Sequence, residues 1–410
     1  MVRSRRRDVI ILFIARICRL FAFGFLSVIL ALYLTTVGFK EKNIGFLLTL
    51  ALIGDLIISL GITTHADRIG RRKMLIVGAL LIVFAGSILA SSHSFLLIAV
   101  AAIVGVISPS GNEIGPFLAI EHAGLSQTIE DKKRTKAFAW YHLAGSLSTA
   151  LGALASGGLV HTLMHNGISE LSSYRICLII YACLGVLLGI LFLNLSSRVE
   201  SSNEKDKHSK KIFFGLHQSR KTVFKLSGFF TLDAFAGGLI VQSLLAFWFH
   251  VRYGTDPVVL GGIFFGANIL AGFSALVAIK IADQIGLIKT MVFTHIPSNI
   301  LLMLVPLMPN LGSAIIVLLL RFSISQMDVP TRQSYTVAVV SPDERSAAAG
   351  FTNTARSLGA ALAPSLSGFL IAIPALMGSI FFLSGGLKII YDLLLYQTFK
   401  KVKPPEEKKQ

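Results

Sequence analysis

Long apolar stretches separated by short polar ones dominate this chain. A helix rises 1.5 Å per residue and needs about 20 apolar residues to cross a bilayer's hydrocarbon core. Twelve segments meet that length, with approximate edges at 9–36, 43–65, 73–91, 94–121, 136–161, 174–196, 224–251, 258–282, 287–308, 311–340, 346–371 and 375–398. The pattern therefore predicts an all-α integral membrane protein with twelve transmembrane helices. Several segments contain Gly, Pro or a charge, which suits helices lining a cavity better than helices facing only lipid.

One hydrophilic stretch interrupts the rhythm. Residues 197–223 read as a linker, dividing the chain into a six-helix half at 1–196 and a second at 224–398, followed by a solvated tail at 399–410. The halves echo each other. Ala66-Asp67-Arg68-Ile69-Gly70 follows the second segment and Ala282-Asp283-Gln284-Ile285-Gly286 the eighth, at an offset of 216. Repeats of six helices about an axis along the membrane normal form a transporter architecture, with the substrate site near mid-membrane.

Composition sharpens this. The 410 residues are 54% hydrophobic and 14% charged, too little charge to coat a soluble globule. The net charge of +17 suggests nucleic acid only until the charges are placed. Of the 38 Lys and Arg, 28 lie before the first segment, after even-numbered segments or in the tail, against Lys40, Lys42, Arg175 and Arg252 on the opposite side. The positive-inside rule then predicts a multi-pass protein of the cell (cytoplasmic) membrane with both termini cytoplasmic and no nucleic-acid partner. Cys18, Cys177 and Cys183 have no metal-ligand spacing and read as buried thiols, so no metal or other cofactor is expected.

Ionisable groups within spans cost at least about 2.5–3.5 kcal/mol each on insertion scales, so each needs a partner or a task. The candidates for substrate or coupling roles are Arg19, Asp55, Asn112, Glu113, Asp233, Gln242, Asp328, Arg332 and Arg356. Asn112-Glu113 sits between Pro109 and Pro116 in a Gly-rich stretch, and Asp328-Val329-Pro330 stands 216 residues later. A broken polar helix at one level in each half is the best pointer to a site. Arg16 and Glu121 lie nearer the surface, within snorkelling reach. Lys388 and Asp392 share a helical face and are expected to pair.

The run Asp67-Arg68-Ile69-Gly70-Arg71-Arg72-Lys73, between the second and third of twelve spans, resembles the loop signature of the major facilitator superfamily. The resemblance covers about residues 9–398. Thr63 stands where the family usually has Gly, with Gly61 two positions earlier. It implies two pseudo-symmetric six-helix halves, a monomer, alternating access and a small-molecule substrate. It also implies that Asp67, Arg68, Gly70, Arg71 and Arg72 form a cytoplasmic gate, and that spans two and eleven are neighbours, making an Asp55–Arg356 pair a proton-coupling candidate. Gly145, Gly152, Gly157 and Gly158 lie where some members carry an antiporter signature, but its Pro is missing and close packing is the better reading. No nucleotide-binding signature or catalytic cluster is visible, so no enzyme is expected. The expectation is proton-coupled efflux of a small organic solute; the alternative is uptake or exchange of an anionic metabolite through the intramembrane Arg residues.

Overall fold

The computed structural model describes residues 2–113, 115–129, 131–196, 199–200 and 216–400. All twelve apolar segments are helical. In the first half they are α1 (Val2–Thr36), α2 (Glu41–Ile69), α3 (Arg71–Ser91), α4 (Phe95–Val104) with α5 (Phe117–Thr128), α6 (Asp131–His165) and α7 (Glu170–Leu193). In the second they are α8 (Arg220–Gly238) with α9 (Gln242–Tyr253), α10 (Pro257–Ile285), α11 (Leu287–Leu304), α12 (Leu311–Phe322) with α13 (Asp328–Ala338), α14 (Arg345–Ile371) and α15 (Ser379–Phe399). Most of the 197–223 linker lies outside the described residues, as does the tail beyond 400.

Local chemistry sets the boundaries. Ser169 caps α7 by accepting from the Ser172 amide, and Asn310 caps α12 through the Ser313 amide. Gly70 (φ +116) and Gly286 (φ +88) turn the chain between α2 and α3 and between α10 and α11, in backbone that side-chain-bearing residues avoid. The 216-residue echo is thus the same glycine hinge built twice.

Among the described residues, nine helical segments are long and apolar enough to cross a membrane, taking 220–253 as one. The other three of the twelve depart for physical reasons. The fourth is interrupted over residues 105–116 and the tenth over 323–327, leaving short helices on either side. The second interruption precedes the expected place: Asp328 opens α13, and Pro330 sits in its first turn, where a missing N–H costs little. The eleventh, α14, has 27 residues but is thinned by Ser, Thr, Gly and Arg356.

The helices pack into two compact units. Among the described residues, the first comprises those up to 200 and 241–268, the second 216–240 and 269–400. Thus α9 and the start of α10 pack with the first-half helices. Within unit 1, Gly24 of α1 lies against the Thr149 backbone and Gly152 of α6 against that of Phe21. Within unit 2, Gly238 of α8 meets the Ala360 backbone and Gly359 of α14 that of Thr231. A methyl group at any of these would overlap a carbonyl. The first and fifth spans of each half therefore cross at backbone distance; of the α6 glycines, Gly152 serves that crossing, Gly145 faces the Arg16 side chain and Gly157 meets Pro257 of α10.

Candidate functional site

In unit 1 the polar residues of α1, the broken fourth span and α6 converge. The fully buried Arg19 grips both oxygens of Glu121, at 2.5 and 2.7 Å, and donates from Nε to Glu113 at 2.9 Å. Arg16 holds the other Glu113 oxygen at 2.8 Å and the Tyr141 carbonyl at 2.7 Å. The Tyr141 hydroxyl closes the network on Glu121. Arg16 and Glu121 were expected to reach the surface; instead both are buried, because each has a charged partner inside. Asn112 is exposed in the 105–116 interruption, and its carbonyl accepts from Ser108. Gln242 opens α9, where it donates to Ser27 at 2.8 Å and accepts from Asn268 at 3.3 Å. A break at 239–241 separates it from Asp233 on α8. His142 and Trp140 are exposed, and Cys183, expected to be buried, is also exposed.

Asp55 is different. It lies midway along α2 and its side chain accepts from Ser59 at 3.2 Å. No Lys, Arg or His comes within 4 Å of it among the described residues. Glu113, Glu121, Asp233, Asp328 and Asp392 each have a cationic or imidazole partner.

At the α2–α3 hinge, Asp67 pairs with Arg71 at 2.8 Å. Glu200 accepts from the Arg71 and Arg72 amides at 2.6 and 3.2 Å, capping α3. Arg68 is exposed.

Unit 2 is organised around Asp233, which is 2% exposed. Lys388 of α15 donates to its Oδ1 at 2.7 Å, while Arg356 of α14 and Arg332 of α13 reach Oδ2 at 2.9 and 3.3 Å. Arg332 also holds Asp328, at 2.5 Å. Lys388 and Asp392 do not pair with each other: Lys388 turns to Asp233, whereas Asp392 faces His295 Nδ1 at 2.9 Å and accepts from Asn299 at 3.4 Å. Arg356, expected opposite Asp55, spends its Nη1 on Asp233. Arg321 of α12 is buried, its Nε without a partner and with no carboxylate within 4 Å among the described residues.

Outside the spans, Glu344 accepts from the His217 amide and, at 2.9 Å, from the Ser219 amide, while His217 Nε2 lies 2.6 Å from Asp343. Burial alone would raise the Glu344 carboxyl, but the donors from Ser219 and His217 outweigh it and hold it at about 2. The hydrogen bond to Asp343 raises His217.

The sequence reading missed His295, Glu200 and Glu344. A lone His eight residues into an apolar span was a detectable signal; the two glutamates acquire their roles only through partners more than 120 residues away. No group of three or more His, Cys, Asp or Glu that could hold a metal occurs among the described residues.

A family model described as Major Facilitator Superfamily matches residues 12–364. An uncharacterized membrane protein of Saccharomyces cerevisiae is 28% identical over 96% of this chain and 94% of its own length. The crystal structure of nucleoside transporter NupG superposes with a TM-score of 0.73 at 14% identity, over 96% of this chain and 99% of that one. A D-xylose-proton symporter gives 0.70 at 12% identity, with 98% of both chains covered. With a broken, charged span in each half, two glycine hinges 216 residues apart and a family match over most of its length, the chain belongs to the Major Facilitator Superfamily.

Proposed function

We propose that this protein is a secondary active transporter that moves a small organic solute by alternating access and couples it to protons through Asp55. The observation that carries the coupling is the isolation of Asp55 among the intramembrane carboxylates. Asp55 meets neutral donors, the Ser59 hydroxyl and the Gly115 backbone, rather than a cation. The charge of such a mid-span carboxylate is settled by water or by a proton, and moving between those two environments is the chemistry of proton coupling. One structural neighbour, a D-xylose-proton symporter, fits that reading. Efflux is the direction proposed first, from a membrane in which both termini face the cytoplasm. Asp67, Arg68, Gly70, Arg71 and Arg72 act as its gate, the Asp67–Arg71 pair and the Glu200 cap being the contacts that gating would remake. Uptake or exchange of an anion is the second reading, favoured by the unpartnered Nε of buried Arg321.

The test is a pH-sensitive dye sealed inside proteoliposomes of oriented protein, challenged with cationic, neutral and anionic compounds. A compound-dependent pH change in wild type that Asp55→Asn abolishes is the expected result, and its sign gives the direction. Labelled compound crossing with no pH change in wild type would remove Asp55 from the mechanism.

A further inference from the structure

The charges inside the unit 2 spans do not balance. Leaving aside the exposed Lys225, Lys280 and Lys289 near the span ends, four permanent cations among the described residues, Arg321, Arg332, Arg356 and Lys388, accompany three carboxylates, Asp233, Asp328 and Asp392, and Asp392 has His295 as its direct partner. An uncompensated cation in a span is costly, so a surplus of one calls for an anion that the chain does not supply.

The geometry also indicates which cation can receive it. Arg332 is held by two carboxylates and is 8% exposed along its side chain; Lys388 is 10% exposed. The Arg356 side chain is 26% exposed, and among the described residues its one hydrogen-bond contact is from Nη1 to Asp233. A guanidinium carries five N–H donors in a planar fork suited to carboxylate or phosphate. Asp233 does not depend on Arg356, since Lys388 and Arg332 would still hold both its oxygens. Among the described residues, Arg356 is therefore the cation of the cluster that can turn toward a ligand while both oxygens of Asp233 stay held, Oδ1 by Lys388 and Oδ2 by Arg332. Arg19, the corresponding candidate in unit 1, has no such freedom: Nε, Nη1 and Nη2 are all engaged and the side chain is fully buried.

We propose that the transported solute carries an anionic group, a carboxylate or phosphate, and that Arg356 binds it through the part of its guanidinium that Asp233 leaves free. This rests on the transport reading above and names the substrate class. Arg321 adds to the positive potential of the unit.

The experiment is arginine modification by phenylglyoxal, mapped by mass spectrometry on full-length protein in a non-ionic detergent. The probes are succinate, benzoate and phenyl phosphate, with tetraethylammonium chloride as the ionic-strength control. Arg356 is expected to label faster than Arg19 and Arg332, and at least one anion slows it in a saturable way that tetraethylammonium does not reproduce. In a parallel thermal-shift titration, that anion's affinity falls about tenfold in Arg356→Gln, the scale of one charged hydrogen bond, and is partly restored in Arg356→Lys. Unchanged labelling with all three anions overturns the proposal. So does protection seen only in phosphatidylglycerol nanodiscs, which would assign Arg356 to a lipid headgroup. If anions protect Arg356 while the pH-dye signal is absent, proton coupling fails and the anion site stands; the reverse pattern leaves coupling intact and removes the anion.

Discussion

Arg19→Met is the most direct test of how the unit 1 network is held together. The substitution keeps an unbranched side chain of similar length and removes three N–H···O contacts at 2.9, 2.5 and 2.7 Å. Glu113 is still held by Arg16, but Glu121, with none of its side chain exposed, keeps among the described residues only the Tyr141 hydroxyl. Removing one partner from a buried ion pair typically costs about 3–5 kcal/mol, because it strands the other charge. For a unit of roughly 150–250 residues, at about 2–4 °C per kcal/mol, the apparent Tm should fall by about 6–20 °C. Thermal unfolding in detergent, followed by intrinsic fluorescence, measures it. The decisive comparison is Arg19→Met with Glu121→Gln: removing the stranded charge should recover most of the loss, since the two effects are not additive. A single variant within about 2 °C of wild type, or a double variant no better than the single, would refute the claim that the network is an ion-pair lock.

Other consequences are as specific. Gly152→Leu and Gly359→Leu force side chains into backbone-to-backbone crossings, so each should cost about 1–3 kcal/mol or more by overpacking, read as a lower Tm or lost expression. Asp233→Asn should destabilise unit 2 more than Lys388→Met, because the first leaves several cations facing each other and the second leaves Asp233 with two arginines; paired thermal melts compare them. Asp67→Asn breaks a pair whose Asp is 64% exposed, worth about 0.3–0.5 kcal/mol at most, so lost transport with an unchanged Tm would mark a gating role. The Glu344 anchor has a pH window. Its lowered carboxyl contributes stability above the ordinary value near 4.5, lost as pH falls toward 2, whereas raised His217 contributes below 6.5 and is lost as pH climbs through its folded value. Hydrogen exchange at the Ser219 and Ser341 amides, corrected for intrinsic rate, should be slowest between those limits.

The spans, their number and the break in the fourth follow from apolar run length and from proline and glycine placement, which act within one helix and can be read locally; the tenth breaks at 323–327, which holds neither residue, ahead of the Pro330 that pointed to it. The repeat was legible for the same reason: Gly70 and Gly286 meet one backbone demand. Charge pairing was not legible. Lys388 and Asp392 sit four residues apart on one face, yet they reach different helices, α8 and α11, because rotation of α15 presents each to a different neighbour. Asp233 gathers partners from α13, α14 and α15, some 99 to 155 residues away, and no spacing rule encodes such distances. Glu121 looked close enough to the surface to reach water, and only the folded position of Arg19 makes burial tolerable.

The polarity of α14 bears on how the protein is made. Presented alone to the insertion machinery, a helix with Arg356 near its centre would meet an unfavourable term of about 2.5–3.5 kcal/mol from that residue, with little apolar content to offset it. Its counter-charge, Asp233, lies on α8 and is synthesised 123 residues earlier. Stable entry of α14 into the bilayer thus has to wait for a partner already there, and α8 in turn carries a carboxylate that is best satisfied only when α14 and α15 arrive. The second half is therefore expected to assemble as a late, concerted event in biogenesis, and variants at Asp233 should be cleared by quality control even where the purified protein would have tolerated them.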